Sequence, residues 1–226
     1  MADPILPIGA LDEAISGWRA WNLSDGDPAP LLRPVGSGVD TWPPRRPVEA
    51  RCGASPLLTF GTRRHAAPGV RCGCGIYAGR SLEALDRHRP AWPPAPVVGT
   101  VSLWGTVIEH ERGWRAQFAY PSRLRLVCPM CAWFEPGTGV PAVVHVFAGR
   151  LYPLCVAHRG GIEVPDGRRT RPTGLDPTVV QARLIDAYAV DLLPAEAVGA
   201  LVDRPSIPGS PSIPSIRTVP VEEEGA

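Results

Sequence analysis

Residues 99–120, GTVSLWGTVIEHERGWRAQFAY, carry the clearest strand signal of the chain: two apolar-rich runs on either side of Glu111-Arg112-Gly113. In an extended chain every second side chain falls on one face, so Val101, Leu103 and Val107 share one side of the first run. Trp114, Ala116, Phe118 and Tyr120 share one side of the second, and the charged, Gly-ending triplet between them is a turn. The stretch predicts an antiparallel hairpin with a buried face, and it makes the fold β-rich.

Working outward, GWRAWNLS (17–24) predicts an opening strand anchored by Trp18 and Trp21, ahead of the turn-rich SDGDPAP. Residues 25–71 are dense in Pro, Gly and Arg and can hold little regular structure, so something else has to fix them. Ser81 to His88 predicts a short helix with Leu82 and Leu85 on one face, stopped by Pro90. Beyond the first hairpin, AVVHVF and LYPL flank Ala148-Gly149-Arg150 as a second one. Residues 176–190 predict a helix with Asp176 as N-cap, Pro177 at the first helical position and Val180, Leu184 and Tyr188 in line. A shorter helix follows from Pro194 to about Val202. From Asp203 onward a repeated PSIP unit and Glu222, Glu223 and Glu224 predict a disordered acidic tail.

The second hairpin joins two chelating pairs. Cys128, Cys131, Cys155 and His158 are spaced C-x2-C-x23-C-x2-H, four soft or borderline ligands that complete a tetrahedral Zn²⁺ with no position left for water. Pro129 suits the tight turn of the first pair, and Cys155 and His158, three apart, meet on one face of a helical turn ended by Gly160 and Gly161. The other cysteines, Cys52, Cys72 and Cys74, predict a second zinc site. Cys72 and Cys74 point the same way from an extended segment, and Gly73 and Gly75 let the backbone curl round a metal. His65 is the preferred fourth ligand because its loop has nothing else to order it; His88 and His110 are the alternatives.

Composition narrows the chemistry. All 23 basic residues are Arg, so lysine-based Schiff-base and general-base catalysis are excluded. The formal charge of +1 is unevenly spread: residues 112–171 carry a net +6, and 172–226 a net −5. That basic centre could attract nucleic acid, an acidic protein or the chain's own tail. The longest apolar stretches fall well short of the roughly 20 residues of a membrane span, and the beginning of the sequence has no basic n-region or apolar h-region. The expected location is the cytoplasm, where cysteines stay reduced and metal-bound rather than disulfide-bonded.

Residues 124–162 resemble zinc ribbons and treble-clef knuckles, although Ala132 follows Cys131 where ribbons usually have Gly. The CGCGIYA and LWG-EHERGWRA segments within residues 17–121 are similar to a pattern in small uncharacterised bacterial proteins. That resemblance implies a shared fold with Cys52, His65, Cys72 and Cys74 clustered, and it carries no activity with it.

Two catalytic readings compete. His110, Glu111, Cys128 and Cys131 resemble a zinc-deaminase signature only faintly: Glu111 is adjacent to His110, Pro129 lies inside the cysteine pair, and Cys155 with His158 closes the open metal position. A Cys72 or Cys74 nucleophile with a nearby His is the other, although cysteines in chelating pairs are more often ligands. The seven tryptophans are mainly core, with Trp133 beside Arg123, Arg125 and Arg150 as a candidate stacking residue.

The expectation is an α+β protein of antiparallel β-hairpins in small zinc-stabilised modules, followed by two C-terminal helices and a disordered tail. Its segments are a β-rich module with a zinc site (1–123), a zinc-ribbon-like module (124–162), a loop and helical segment (163–202) and the acidic tail (203–226). The expected function is a non-catalytic binding or regulatory module with a protein partner. Nucleic acid bound through the Arg-rich 112–171 region, and an enzyme using Cys72/Cys74, are the alternatives.

Overall fold

The computed structural model describes residues 7–35, 41–52, 65–85, 94–134, 137–163, 167–199 and 217–218. Apart from Arg217 and Thr218, the expected acidic tail with Glu222 to Glu224 lies outside them, as do His88 and Trp92. The fold is α+β and mostly antiparallel, with ten strands in one sheet.

Three long strands form its centre: β1 (Pro7–Ser24) and, further along the chain, the hairpin Val97–His110 and Gly113–Leu126. Between them come the short β2 (Leu31–Pro34), β3 (Val48–Glu49) and β4 (Ile76–Gly79), so the hairpin strands are β5 and β6. β5 is antiparallel to β1 on one side and to β6 on the other. β4 pairs along β6 and, at Gly79, with Trp18 of β1, so the sheet curls closed at that end. The opening strand is thus longer than GWRAWNLS, and the 25–71 region contributes only the short pairings of β2 with β1 and of β3 with β6.

The remaining elements hang on this frame. A helical turn, α1 (Pro129–Trp133), precedes the second hairpin, β7 (Val143–Phe147) and β8 (Arg150–Leu154). Ala148 and Gly149 have φ of 49° and 69°, and this two-residue turn with both φ positive matches the twist of the flanking strands. Then follow β9 (Ile162–Glu163), β10 (Arg171–Pro172), α2 (Pro177–Tyr188), β11 (Asp191–Leu192) and β12 (Arg217–Thr218). β8 joins β1 at Ser24, β10 joins β7, and β11 lies parallel to β6 at Arg123 and Leu124.

α2 begins as its sequence requires. The Asp176 carboxylate accepts from the Thr178 N–H at 2.7 Å, Pro177 fills the first turn, and Val180, Leu184 and Tyr188 are buried. The two other expected helices are 3₁₀ turns within the described residues, at Glu83–Leu85 and Glu196–Val198.

Two apolar clusters result. One fills the curl with Trp21, Val101, Leu103, Val107 and Ala116 and takes in Leu184 and Tyr188 of α2. The other surrounds Cys128, Cys131 and Cys155 and includes Val98, Tyr152, Leu154 and Ile162. Within the hairpin, Val101, Leu103 and Val107 are buried as alternation predicts, but Trp114, Phe118 and Tyr120 are only half-buried. Arg115 and Ala119, from the opposite set, are buried instead. Register shifts at Thr100/Val101 and Trp104/Val107 interrupt the two-residue period, and β4 and its preceding loop cover the second face. No helix among the described residues is long and apolar enough to cross a membrane.

Candidate metal centres

Cys128 is the N-cap of α1, with Pro129 at the first helical position, so one tight turn brings Cys131 back toward it. Cys155 caps the 3₁₀ turn Val156–His158 that follows β8 and returns His158 to the same point. All four residues are buried, and their ligand atoms lie within 4.8 Å of one another. His158 Nδ1 is 3.2 Å from Cys155 Sγ, 3.4 Å from Cys128 Sγ and 3.5 Å from Cys131 Sγ, and Cys131 and Cys155 Sγ are 3.5 Å apart. A tetrahedral zinc with bonds near 2.3 Å to sulfur and 2.0 Å to nitrogen has edges of about 3.5–3.8 Å. The observed distances fit such an ion with slight expansion.

The thiols share their protons. The hydrogen bond from Cys128 holds the Cys155 thiol down to about 4 and the Cys131 thiol down to about 6. Cys128, donating to both, is pushed far up. A cation at the centre replaces that shared proton, since metal binding requires thiolates. Gly137 guards the outer side of Cys131: a Cβ there would stand 2.6 Å from the Cys131 sulfur.

The second cluster is assembled from the irregular chain between β3 and β4. Cys52, His65, Cys72 and Cys74 converge, again within 4.8 Å, but His65 is exposed and the three cysteines are only half-buried. Cys52 Sγ is 3.3 Å from His65 Nε2 and 3.8 Å from Cys72 Sγ, and Cys74 Sγ is 3.9 Å from His65 Nε2. His65 Nδ1 is 2.8 Å from the Ala66 carbonyl. Donation there leaves the Nε2 lone pair facing the sulfurs, the arrangement a metal-binding histidine needs.

A knuckle of backbone supports the sulfurs. The Cys72 N–H bonds to the Gly69 carbonyl at 3.1 Å, and the Gly69 N–H donates to Cys74 Sγ at 3.2 Å. The Cys74 N–H and His65 hold the Cys72 thiol down to about 7, while burial raises Cys74. His65 itself is raised, chiefly by its bond to the Ala66 carbonyl. Its ring lies on Gly69, where a Cβ would come within 2.3 Å of it.

The structure therefore brings His65 to the three thiols. It places His110 elsewhere, with Nε2 accepting from Arg115 Nε at 2.6 Å. Burial and the Arg115 charge keep His110 below its ordinary value.

Arg115 is the residue that pattern reading passes over. Alternation marks it as a solvent-facing strand residue, yet it is 3% exposed and donates to the carbonyls of both Cys72 and Cys74, the latter at 3.0 Å. The sequence signal lies in non-local pairing: β4, which begins two residues after Cys74, aligns Ile76 with Ala116 and thereby brings the knuckle over Arg115.

Of the tryptophans, Trp21 and Trp42 are core and pack edge to face. Trp133 is half-buried, with its indole N–H bound to the Ala95 carbonyl at 2.7 Å. Comparison with protein-family models, with curated proteins and with solved structures finds no match for this chain. Two Cys₃His clusters able to hold metal ions are what the described residues offer to a functional reading.

Proposed function

We propose that this chain is a non-catalytic binding protein whose scaffold is stapled by two zinc ions, one in each Cys₃His cluster, and that it works through a protein partner. The observation that carries the reading is the buried quartet. Cys128, Cys131, Cys155 and His158 are each at most 5% exposed and together fill a tetrahedron, a composition suited to structural zinc. At the half-exposed quartet, the convergence of a third thiol, Cys52, on His65 supports ligation over a Cys–His nucleophile.

The arginines favour a protein partner over nucleic acid. Of the nine in 112–171, Arg115 is buried, Arg125 bonds to the carbonyl of Leu193, Arg169 pairs with Glu163, and Arg168 stacks on Phe147. Phosphate binding needs such groups free. Two measurements test the reading. Elemental analysis of protein purified without chelator should give close to two Zn per chain; none would overturn the metal assignment. Affinity purification with and without nuclease should retain a protein partner; capture that disappears with nuclease would transfer the role to nucleic acid.

A further inference from the structure

Beside the half-exposed quartet, where β4 closes the curl against β1 and the tip of the β5–β6 hairpin, the surface sinks into a groove of about 720 Å³. Trp18, Tyr77, Trp114 and Trp133 stand in its walls. Tyr77 is 50% exposed, an unusual position for a ring fixed at its far end, where its hydroxyl donates to the Gly73 carbonyl at 2.7 Å. The volume falls in the range of about 300–1,000 Å³ typical of small-molecule sites, which combine apolar walls with a few placed polar groups.

The charges in the groove have one sign. Arg19 and Arg112 line it, no carboxylate among the described residues does, and burial and the Arg115 charge keep His110 below its ordinary value. Arg112 donates to the Ala84 carbonyl at the rim. Arg19 stacks on Trp42 at 5.1 Å and donates to the Tyr77 carbonyl, but among the described residues it makes no ion pair and its Nε has no hydrogen-bond partner. Burial lowers the Arg19 pKa only to about 10, so the guanidinium is charged at neutral pH. By contrast, Arg80, which stacks on Trp114, is already matched by Glu109. Aromatic walls offer stacking faces to any flat ring, and unmatched guanidiniums supply the attraction for an anion.

We propose that this groove is an effector site for a small planar aromatic anion, a ring system bearing one carboxylate, sulfonate or phosphate. The inference rests on the reading of the chain as a binding module and not on the identity of its metal. Gly75 follows directly on Cys74 and Tyr77 comes two residues later, so the ordered knuckle also sets one wall of the groove.

The test uses the full chain with its zinc content measured on the same sample. Anilinonaphthalene sulfonate, a planar aromatic anion, and N-phenylnaphthylamine, its uncharged counterpart, are titrated in parallel, following dye emission and energy transfer from tryptophan. One sulfonate dye should bind per chain, about tenfold or more tighter than the neutral dye. Arg19→Met and Arg112→Gln should each reduce that preference severalfold with unchanged circular dichroism. Should Arg19→Met not fold, Arg112→Gln and a rise in salt to roughly 0.5 M, which shortens screening to a few ångströms, provide the same comparison. Equal affinities for the two dyes, unsaturable binding, or a preference untouched by either the Arg112 change or salt would overturn the proposal. Loss of dye selectivity in protein holding two Zn would count against the groove alone, and absence of Zn in protein that still selects the anion would count against the metal reading alone.

Discussion

The Arg115 guanidinium bonds to the Cys74 carbonyl at 3.0 Å, and through it a strand of the central hairpin holds the backbone of a cluster that ends 41 residues earlier in the chain. The same side chain also binds the Cys72 carbonyl and His110, so a single buried cation spans both Cys carbonyls and the hairpin tip. Arg115→Met should therefore leave two carbonyls and a ring nitrogen without a donor, destabilising the fold by about 3 kcal/mol, since each orphaned buried group costs roughly 1–3 kcal/mol. Zinc content should fall from two toward one. Lys in its place should recover little, because a point-like ammonium lacks the planar fork that reaches three acceptors. Urea unfolding and zinc assay of the two variants check this, and wild-type stability in Arg115→Met would contradict it.

A second expectation concerns Gly69, whose missing side chain makes room for the His65 ring. The 2.3 Å approach means that Gly69→Ala must displace the ring, and because His65 is exposed it can swing outward at little cost to the fold. One zinc equivalent should be lost with nearly unchanged stability of the core. His65→Ala should do the same, whereas His110→Ala should keep both ions. Retention of two Zn in Gly69→Ala would show that His65 is dispensable.

Much of this arrangement is legible in the sequence because it is local. Asp176-Pro177 starts α2, Ala148-Gly149 turns the second hairpin, and the two-residue gaps within Cys128/Cys131 and Cys155/His158 close on a single turn each. Elements set by distant partners are not legible. Arg115 has an ordinary strand context, and only the pairing of Ile76 with Ala116 buries it. Likewise, the aromatic groove gathers Trp18, Tyr77, Trp114 and Trp133 from four separate segments, and no spacing along the chain marks them as neighbours. The half-burial of Trp114 and Phe118 has the same origin, since a register shift in β5 resets which face a period-two reading assigns.

Tyr188 allows a test of the core in which the sign of a pH effect is fixed. Its hydroxyl accepts from the Leu32 N–H at 3.0 Å and donates to the Trp42 carbonyl at 2.5 Å, and burial pushes its pKa up to about 12. For an acid with a raised folded pKa, the stabilisation is fully present below the ordinary tyrosine value near 10 and is lost as pH rises through about 12. Tyr188→Phe should cost about 1–3 kcal/mol at neutral pH by orphaning both backbone groups. It should also shrink the stability loss between pH 10 and 12 without abolishing it, because burial raises Tyr152 and Tyr120 as well. Denaturation curves at neutral and alkaline pH check both parts, and an unaltered alkaline slope would remove Tyr188 from the account.

The two quartets should differ most in how they release metal. Their ligand sets are the same, three thiols and an imidazole, so intrinsic affinity does not separate them; access does. The half-exposed quartet presents His65 and parts of Cys52, Cys72 and Cys74 to solvent, and a chelator can attack it in the folded state. The buried one is enclosed by Val98, Met130, Tyr152, Leu154 and Ile162, and an ion held there could leave only when that cluster opens. Zinc release to excess chelator should therefore be biphasic, one equivalent fast and one at the rate of unfolding. Urea should accelerate the slow phase far more than the fast. Cys52→Ser should delete the fast phase and leave a folded protein, whereas Cys128→Ser should unfold the segment around the second hairpin, because structural zinc supplies on the order of 10 kcal/mol to such small motifs. Release of both equivalents in a single fast phase would show that burial of Cys128, Cys131, Cys155 and His158 does not protect their ion.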